Sequence, residues 1–166
     1  MGYNETNVDK SGDKWREKVD NVFIGEYAHV LDSKGRLAIP AKFRSILKKG
    51  AIVTKGLDGC LFLYTKEDWN KLVAKLQQTS VTQGSARAFS RLMLAGAMPM
   101  RVDVQGRINL PKYLIQFASL KTNVIIAGLM NRLEIWDATA WDKYKKKTEP
   151  EFEKIAEELF IQKLIP

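Results

Sequence analysis

The side chains best suited to bind an anion recur in the pattern Asp-x-x-Gly-Arg. The two copies supply Asp32, Gly35 and Arg36, and then Asp103, Gly106 and Arg107. Arginine offers a planar fork of donors that fits phosphate or the major-groove edge of guanine. Aspartate can orient this fork, and glycine permits the tight turn. A plain Asp–Arg salt bridge on an exposed hairpin is the structural alternative. A second copy at an equivalent position favours binding, because a turn alone does not require arginine after its glycine.

Other chemistry has little support in the sequence. Cys60 is the only cysteine and His29 the only histidine, so no zinc site is expected. A Cys–His nucleophile pair is formally available, but Cys60 fits better as a small residue on a strand. Phosphate-binding and dinucleotide-binding glycine loops are absent. We therefore expect neither an enzyme nor a cofactor, and no small-molecule substrate.

The charge of the chain predicts a polyanionic partner. Its 27 Lys+Arg against 19 Asp+Glu give +8 and a pI near 9.5. Nucleic acid is the first candidate, an anionic membrane surface the second, and solubility alone the plainest explanation. Positive charge is concentrated between residues 25 and 78, which hold ten basic and five acidic residues. Lys34, Lys42 and Arg44 cluster with Arg36 in sequence and are candidate DNA contacts.

An internal repeat organises the chain. "DSKGRLAIPAKF" at 32–43 aligns with "DVQGRINLPKYL" at 103–114, and "GLDGCLFLYTKEDW" at 56–69 aligns with "GLMNRLEIWDATAW" at 128–141. Alternating apolar residues predict short strands on both sides of each Asp-x-x-Gly turn, and Pro40 and Pro111 fit the start of a short helix. A strand pair and a helix follow in each copy, with Thr65 and Asp137 as N-caps.

This pattern predicts an α+β fold with two modules at 26–73 and 97–140. A linker with a helix covers 79–94, and a C-terminal helix covers 150–164. Each module is too small to bury much surface alone, so we expect the copies to share one core. Apolar helical segments are expected to pack in the core or between subunits. Residues 1–21 lack hydrophobic periodicity and are expected to be a disordered or engineered extension. With one cysteine, no long apolar span and no secretory pattern, the chain is expected to be cytoplasmic.

These motifs together resemble the MraZ family of bacterial transcriptional regulators. The resemblance covers about residues 22–160 and also rests on "FIGEY" and "ARAFSRLMLAGA". It implies tandem SpoVT-AbrB modules in an intrachain swapped-hairpin β-barrel with peripheral helices, assembled into closed rings. Family members commonly start at a methionine directly before "F-x-G-E-Y", where this chain has Val22. We hypothesise that Val22 marks the original start, which N-terminal sequencing of native protein would test.

The resemblance also implies a function. Family members bind short direct repeats in double-stranded DNA upstream of the division and cell-wall gene cluster, usually as repressors. Arg36 and Arg107 carry the principal contact of that family, with Lys34, Lys42 and Arg44 as further expected contacts. Asp32, Asp103, Gly35 and Gly106 are expected to shape the motif. A nucleoid-associated protein is then expected. An interaction scaffold, an enzyme and an RNA-binding protein remain the rival interpretations.

Overall fold

The computed structural model describes residues 22–79 and 82–165. The predicted extension at 1–21 lies outside this range. The strands are β1 Phe23–Val30, β2 Arg36–Ala38, β3 Ala51–Lys55, β4 Leu61–Thr65, β5 Met98–Met100, β6 Arg107–Asn109, β7 Asn123–Met130 and β8 Arg132–Asp137. The helices are α1 Ala41–Arg44, α2 Lys66–Gln77, α3 Gly84–Ala95, α4 Lys112–Phe117, α5 Ala138–Thr148 and α6 Phe152–Ile161, with a 3₁₀ turn at Glu149–Glu151.

Strands of the two repeats alternate in one antiparallel sheet. Its order is β1-β7-β8-β4-β3-β5, so each first strand pairs with a strand of the other repeat. Strands β2 and β6 form a separate two-stranded ribbon. The α+β class predicted from sequence is therefore confirmed, and the two repeats are interleaved rather than placed side by side.

The strand registers reveal an approximate two-fold symmetry. In the ribbon, Leu37 faces its own repeat equivalent, Ile108. In the large sheet, Phe62 faces its equivalent, Glu134. The symmetry axis relating the repeats therefore passes through both pairs, and residues of one repeat can be compared directly with those of the other.

One apolar core serves both repeats. It includes Leu37, Phe43 and Leu63 from the first repeat and Ile108 and Leu133 from the second, all at most 1% exposed. Burial of these side chains is the main stabilising contribution to the fold. Because the core draws on both repeats, neither can bury its apolar face alone, and the expectation of a shared core is confirmed.

A second apolar cluster covers the outer face of the sheet. Phe62, Tyr64 and Trp136 lie beneath helices α2, α3 and α5. Trp69 and Trp141, which occupy equivalent positions in the two repeats, pack against this cluster. No helix in the described part of the chain is long and apolar enough to cross a membrane.

The local predictions agree closely with these elements. The Thr65 hydroxyl accepts a hydrogen bond from the Asp68 backbone N–H, and Asp137 accepts from two backbone N–H groups at the start of α5. Pro40 and Pro111 immediately precede α1 and α4. The C-terminal helix differs, because the segment predicted as one helix begins with the 3₁₀ turn and continues as α6.

Candidate nucleic-acid interface

The first Asp-x-x-Gly-Arg turn is held by hydrogen bonds to one carboxylate. Asp32 Oδ1 accepts from the backbone N–H groups of Lys34 and Arg36, both at 2.9 Å. Asp32 Oδ2 accepts from Arg36 Nε at 2.6 Å. Gly35, at φ +78°, closes the turn in the left-handed region. The aspartate thus fixes both the turn and the guanidinium, while the terminal nitrogens of Arg36 form no hydrogen bond to the described residues.

The second turn repeats this design. Asp103 Oδ1 accepts from the backbone N–H groups of Gln105 and Arg107 at 2.9 Å. Asp103 Oδ2 accepts from both Nε and Nη2 of Arg107 at 3.0 Å. The ion pair predicted as the structural alternative is therefore present in both turns. It holds each arginine in a defined direction, which is compatible with binding as well as with simple pairing.

Both arginines lie on the outer face of the β2–β6 ribbon. The intervening residues Leu37 and Ile108 point into the core, so residues on either side of each point outward. Arg36 pairs with Asn109, and Arg107 lies two residues from Asn109, which makes the arginines diagonal neighbours. Diagonal neighbours of an antiparallel pair are about 7–8 Å apart. The two motifs thus form one surface with approximate two-fold symmetry.

Both turn aspartates are ionised at neutral pH, because their pKa values are lowered. The backbone hydrogen bond from Arg36 lowers the pKa of Asp32, with help from the Arg36 side chain. Arg107 lowers the pKa of Asp103 in the same way. A lowered folded-state pKa stabilises the fold above the unfolded-state pKa, and this contribution is lost as the pH falls through the folded-state value. Each turn is therefore held by a negative charge throughout the neutral range.

A basic groove of about 860 Å³ borders the first turn. Its lining includes Lys34 at the turn, Lys112 at the start of α4 and Lys121 after it, together with the single acidic residue Asp32. The three lysines are exposed. Lys121 could not be predicted as part of this groove from the sequence, because it lies 85 residues from Arg36 and reaches the groove only through the pairing of the repeats.

Lys42 is held away from the turns by contacts of its own. Its ammonium donates to the Ile24 carbonyl at 2.9 Å and lies 4.9 Å from the ring centroids of Tyr27 and Phe43. Tyr113, its repeat equivalent, makes the matching bond to the Gly96 carbonyl. Both contacts fasten a short helix to the segment that begins its repeat, which gives Lys42 an anchoring role.

Arg44, which is close to Arg36 in sequence, lies against the second turn. Its guanidinium packs against Gly106, and its Nε donates to the Ile39 carbonyl at 2.9 Å. The reason is the interleaved fold, in which Ile39 donates its backbone N–H to the Gly106 carbonyl and brings the end of α1 to the opposite turn. Proximity in sequence was therefore a poor guide to the neighbours of Arg44.

The two turn glycines differ in their surroundings, which predicts different costs of substitution. A Cβ on Gly35 would lie 2.8 Å from the Leu110 carbonyl oxygen, a backbone atom, whereas one on Gly106 would meet the movable guanidinium of Arg44. Positive φ costs either alanine about 1–2 kcal/mol. We expect Gly35→Ala to lower the free energy of unfolding, measured by urea denaturation, clearly more than Gly106→Ala. Equal losses would contradict this account of the two turns.

The Cys60 and His29 side chains do not form a nucleophilic pair. The buried Cys60 thiol donates to the Leu57 carbonyl at 3.1 Å, and burial raises its pKa. His29 lies on β1 opposite Val124, and partial burial followed by the charge of Arg44 lowers its pKa. No hydrogen bond joins the two side chains within the described residues. Among those residues, no group of three or more His, Cys, Asp or Glu side chains is placed to hold a metal ion.

The fold and site together define a class of protein: a duplicated hairpin-module protein that presents paired Asp–Arg turns on one exposed ribbon. The chain belongs to the MraZ family. The family profile described as "MraZ protein, putative antitoxin-like" matches residues 22–92 and again residues 93–163.

Relatives of similar length support this membership. Proteins named "Transcriptional regulator MraZ" from Natranaerobius thermophilus and Heliobacterium modesticaldum are 47% and 46% identical to the chain over 138 residues. A protein of the same name from Ligilactobacillus salivarius is also 46% identical. Each alignment covers 83% of this chain and 96% of the relative.

Proposed function

We propose that this protein is a sequence-specific DNA-binding transcriptional regulator. The observation that carries the proposal is the pair of oriented arginines on one face of a two-stranded ribbon. A two-stranded β-ribbon fits the major groove, where arginine donates to guanine O6 and N7. Relatives named as transcriptional regulators support this interpretation. Such a protein acts in the cytoplasm, at the nucleoid.

Arg36 and Arg107 make the principal contacts to double-stranded DNA in this proposal. Asp32 and Asp103 orient them, and Gly35 and Gly106 form the turns. Lys34, Lys112 and Lys121 line the groove beside the first turn and are placed to contact phosphate, which positions the protein without reading sequence. Lys42 and Arg44 contribute less directly, through their contacts with Ile24 and with the second turn.

The two repeats form a swapped-hairpin barrel in this proposal, and several copies of the chain assemble into a closed ring. The exchange of first strands between repeats supports the barrel. One ribbon offers few contacts and binds weakly alone, whereas a ring presents many ribbons to successive short repeats and gains affinity through effective concentration. The operators are direct repeats upstream of the division and cell-wall gene cluster, including the gene of this protein, which it represses.

A footprint on the DNA upstream of its own gene tests this function. We expect short protected stretches at a regular spacing, and a reporter under this promoter that loses activity when the protein is supplied. Arg36→Ala is compared with the wild type in both assays and is expected to give neither the protection nor the loss of reporter activity. Uniform protection along the duplex would contradict sequence-specific binding, and an active reporter would contradict repression.

A further inference from the structure

Helix α3 packs against the outer face of the sheet in the first repeat. The Thr54 hydroxyl donates to the Met93 carbonyl at 2.6 Å, and the Met93 side chain is 4% exposed within the outer cluster. Thr54 faces Phe62 across the sheet. In the second repeat, Ala127 faces Glu134, so Ala127 is the equivalent of Thr54. The surface that α3 covers in the first repeat therefore has a counterpart around Ala127 in the second repeat.

The counterpart is an open groove of about 540 Å³. Ala127, Leu129, Trp136, Trp141 and Tyr144 supply much of its apolar lining. The indole Nε1 of Trp141 is buried and has no hydrogen-bond partner among the described residues. The neighbouring carboxylate of Glu134 is already bonded to Arg132 and Trp136. A buried donor without an acceptor is costly, so this part of the groove wall is incompletely satisfied in the single chain.

In chain order, α6 follows α5 in the second repeat as α3 follows α2 in the first. Its apolar stripe follows helical spacing and consists of Phe152, Ile155, Ala156, Leu159 and Phe160. Phe152 is 69% and Phe160 is 62% exposed. Ala156 and Leu159 are half-buried, so the chain covers the middle of this face and leaves both ends exposed.

The connection before α6 is shorter and more regular than the one before α3. Six residues separate α2 from α3, and they allow α3 to fold back onto the sheet. Between α5 and α6 there are only Glu149–Glu151, and these form a 3₁₀ turn that continues directly into α6. A short, ordered connection of this kind favours exchange of the element with another copy.

Charge complementarity supports the same occupant. Residues 149–161 hold five acidic residues and one basic residue, a net charge of −4 in a chain of net charge +8. The adjacent part of α5, residues 142–148, has a net charge of +3. Lys145 in this segment bonds Glu26 at the groove and lies over the ring of Trp141. The lining of the groove holds Glu26, Asp58 and Glu134 beside Arg132, and Glu26 and Glu134 are paired with Lys145 and Arg132. The attraction for an acidic helix therefore comes from the lysines of α5 next to the groove.

We propose that this groove binds helix α6 of a second copy of the chain. The Phe152–Phe160 stripe packs against the apolar lining of the groove, as Met93 of α3 packs within the outer cluster of the first repeat. Each copy then donates one helix and receives another, a head-to-tail contact that closes into a ring when the rotation allows. This inference rests on the self-association proposed above and identifies the surfaces that produce it.

Disulfide trapping between two tagged, co-expressed full-length chains tests the proposal. One chain carries Leu129→Cys in the groove and the other Phe160→Cys on the stripe, and Cys60 is retained because it is buried. The matched control replaces Phe160→Cys with Lys154→Cys, on the face of α6 opposite the stripe. We expect a mixed-tag disulfide dimer whose yield exceeds the control by about tenfold, because docking raises the effective concentration of the two thiols.

Two outcomes would overturn the proposal. One is a chain carrying both cysteines that closes an intrachain disulfide as a monomer. The other is a yield equal to the control while light scattering shows an oligomer, because association would then use other surfaces. A monomeric protein in light scattering would overturn this inference together with the proposed ring. If the disulfide dimer forms as expected but the wild-type protein does not bind the promoter DNA, only the proposed recognition of DNA is overturned.

Discussion

Replacing Arg36 with alanine is expected to abolish specific binding to the promoter repeats while leaving the fold intact. The guanidinium is fixed by Asp32 on an exposed face, and its terminal nitrogens remain available to DNA. A bidentate arginine–guanine pair contributes about 1–3 kcal/mol, and several ribbons of a ring lose it together. We therefore expect affinity to fall by about 100-fold or more, measured by fluorescence anisotropy at physiological salt.

Two variants separate this effect from a loss of charge. Lys75→Ala removes one exposed positive charge from α2, far in sequence from both turns, and is expected to change affinity little. Arg36→Lys keeps the charge but lacks the planar fork, so it is expected to retain non-specific binding and lose preference for the repeats. Circular dichroism and light scattering report fold and assembly. Wild-type affinity in Arg36→Ala would show that the first turn is not the recognition element.

Replacing Leu37 with alanine is expected to destabilise both repeats at once. Leu37 is fully buried and faces its equivalent Ile108 at the symmetry axis, where the core of one repeat meets that of the other. Truncating a buried leucine costs about 2–5 kcal/mol, a large part of the roughly 5–15 kcal/mol that stabilises a domain. Urea denaturation followed by tryptophan fluorescence and by circular dichroism measures the change.

The matched control for this prediction is Val104→Ala. The Val104 side chain is fully exposed at the tip of the second turn, so its removal is expected to leave the free energy of unfolding nearly unchanged. Both probes should follow one transition in Leu37→Ala as in the wild type, because the repeats share a core. Separate transitions for the two probes would show that the repeats fold independently.

Local structure was predictable from the sequence because its causes are local. The Asp-x-x-Gly-Arg turns, the Thr65 and Asp137 caps and the alternation around Leu37 each depend on residues within a few positions. The repeat itself indicated that two small modules must share a core, since neither has enough apolar surface alone. Family membership followed from motifs that lie in these same segments.

The partners of each element were not predictable in the same way. An apolar strand face does not specify which strand it joins, so the placement of Arg44 at the opposite turn depended on the interleaving of the repeats. The position of Lys121 in the groove of the first turn has the same cause, whereas Lys42 contacts Ile24 within its own repeat. These residues show that charges close in sequence need not be neighbours in the folded chain.

The most direct test of the central claim compares two duplexes. Full-length protein is titrated against the DNA upstream of its own gene and against a scrambled duplex of equal length and composition, at physiological salt with excess competitor DNA. Sequence-specific recognition through the paired ribbons predicts affinity for the native duplex higher by about 1000-fold or more. Equal affinity for both duplexes would contradict it and would reduce the basic surface to non-specific attraction.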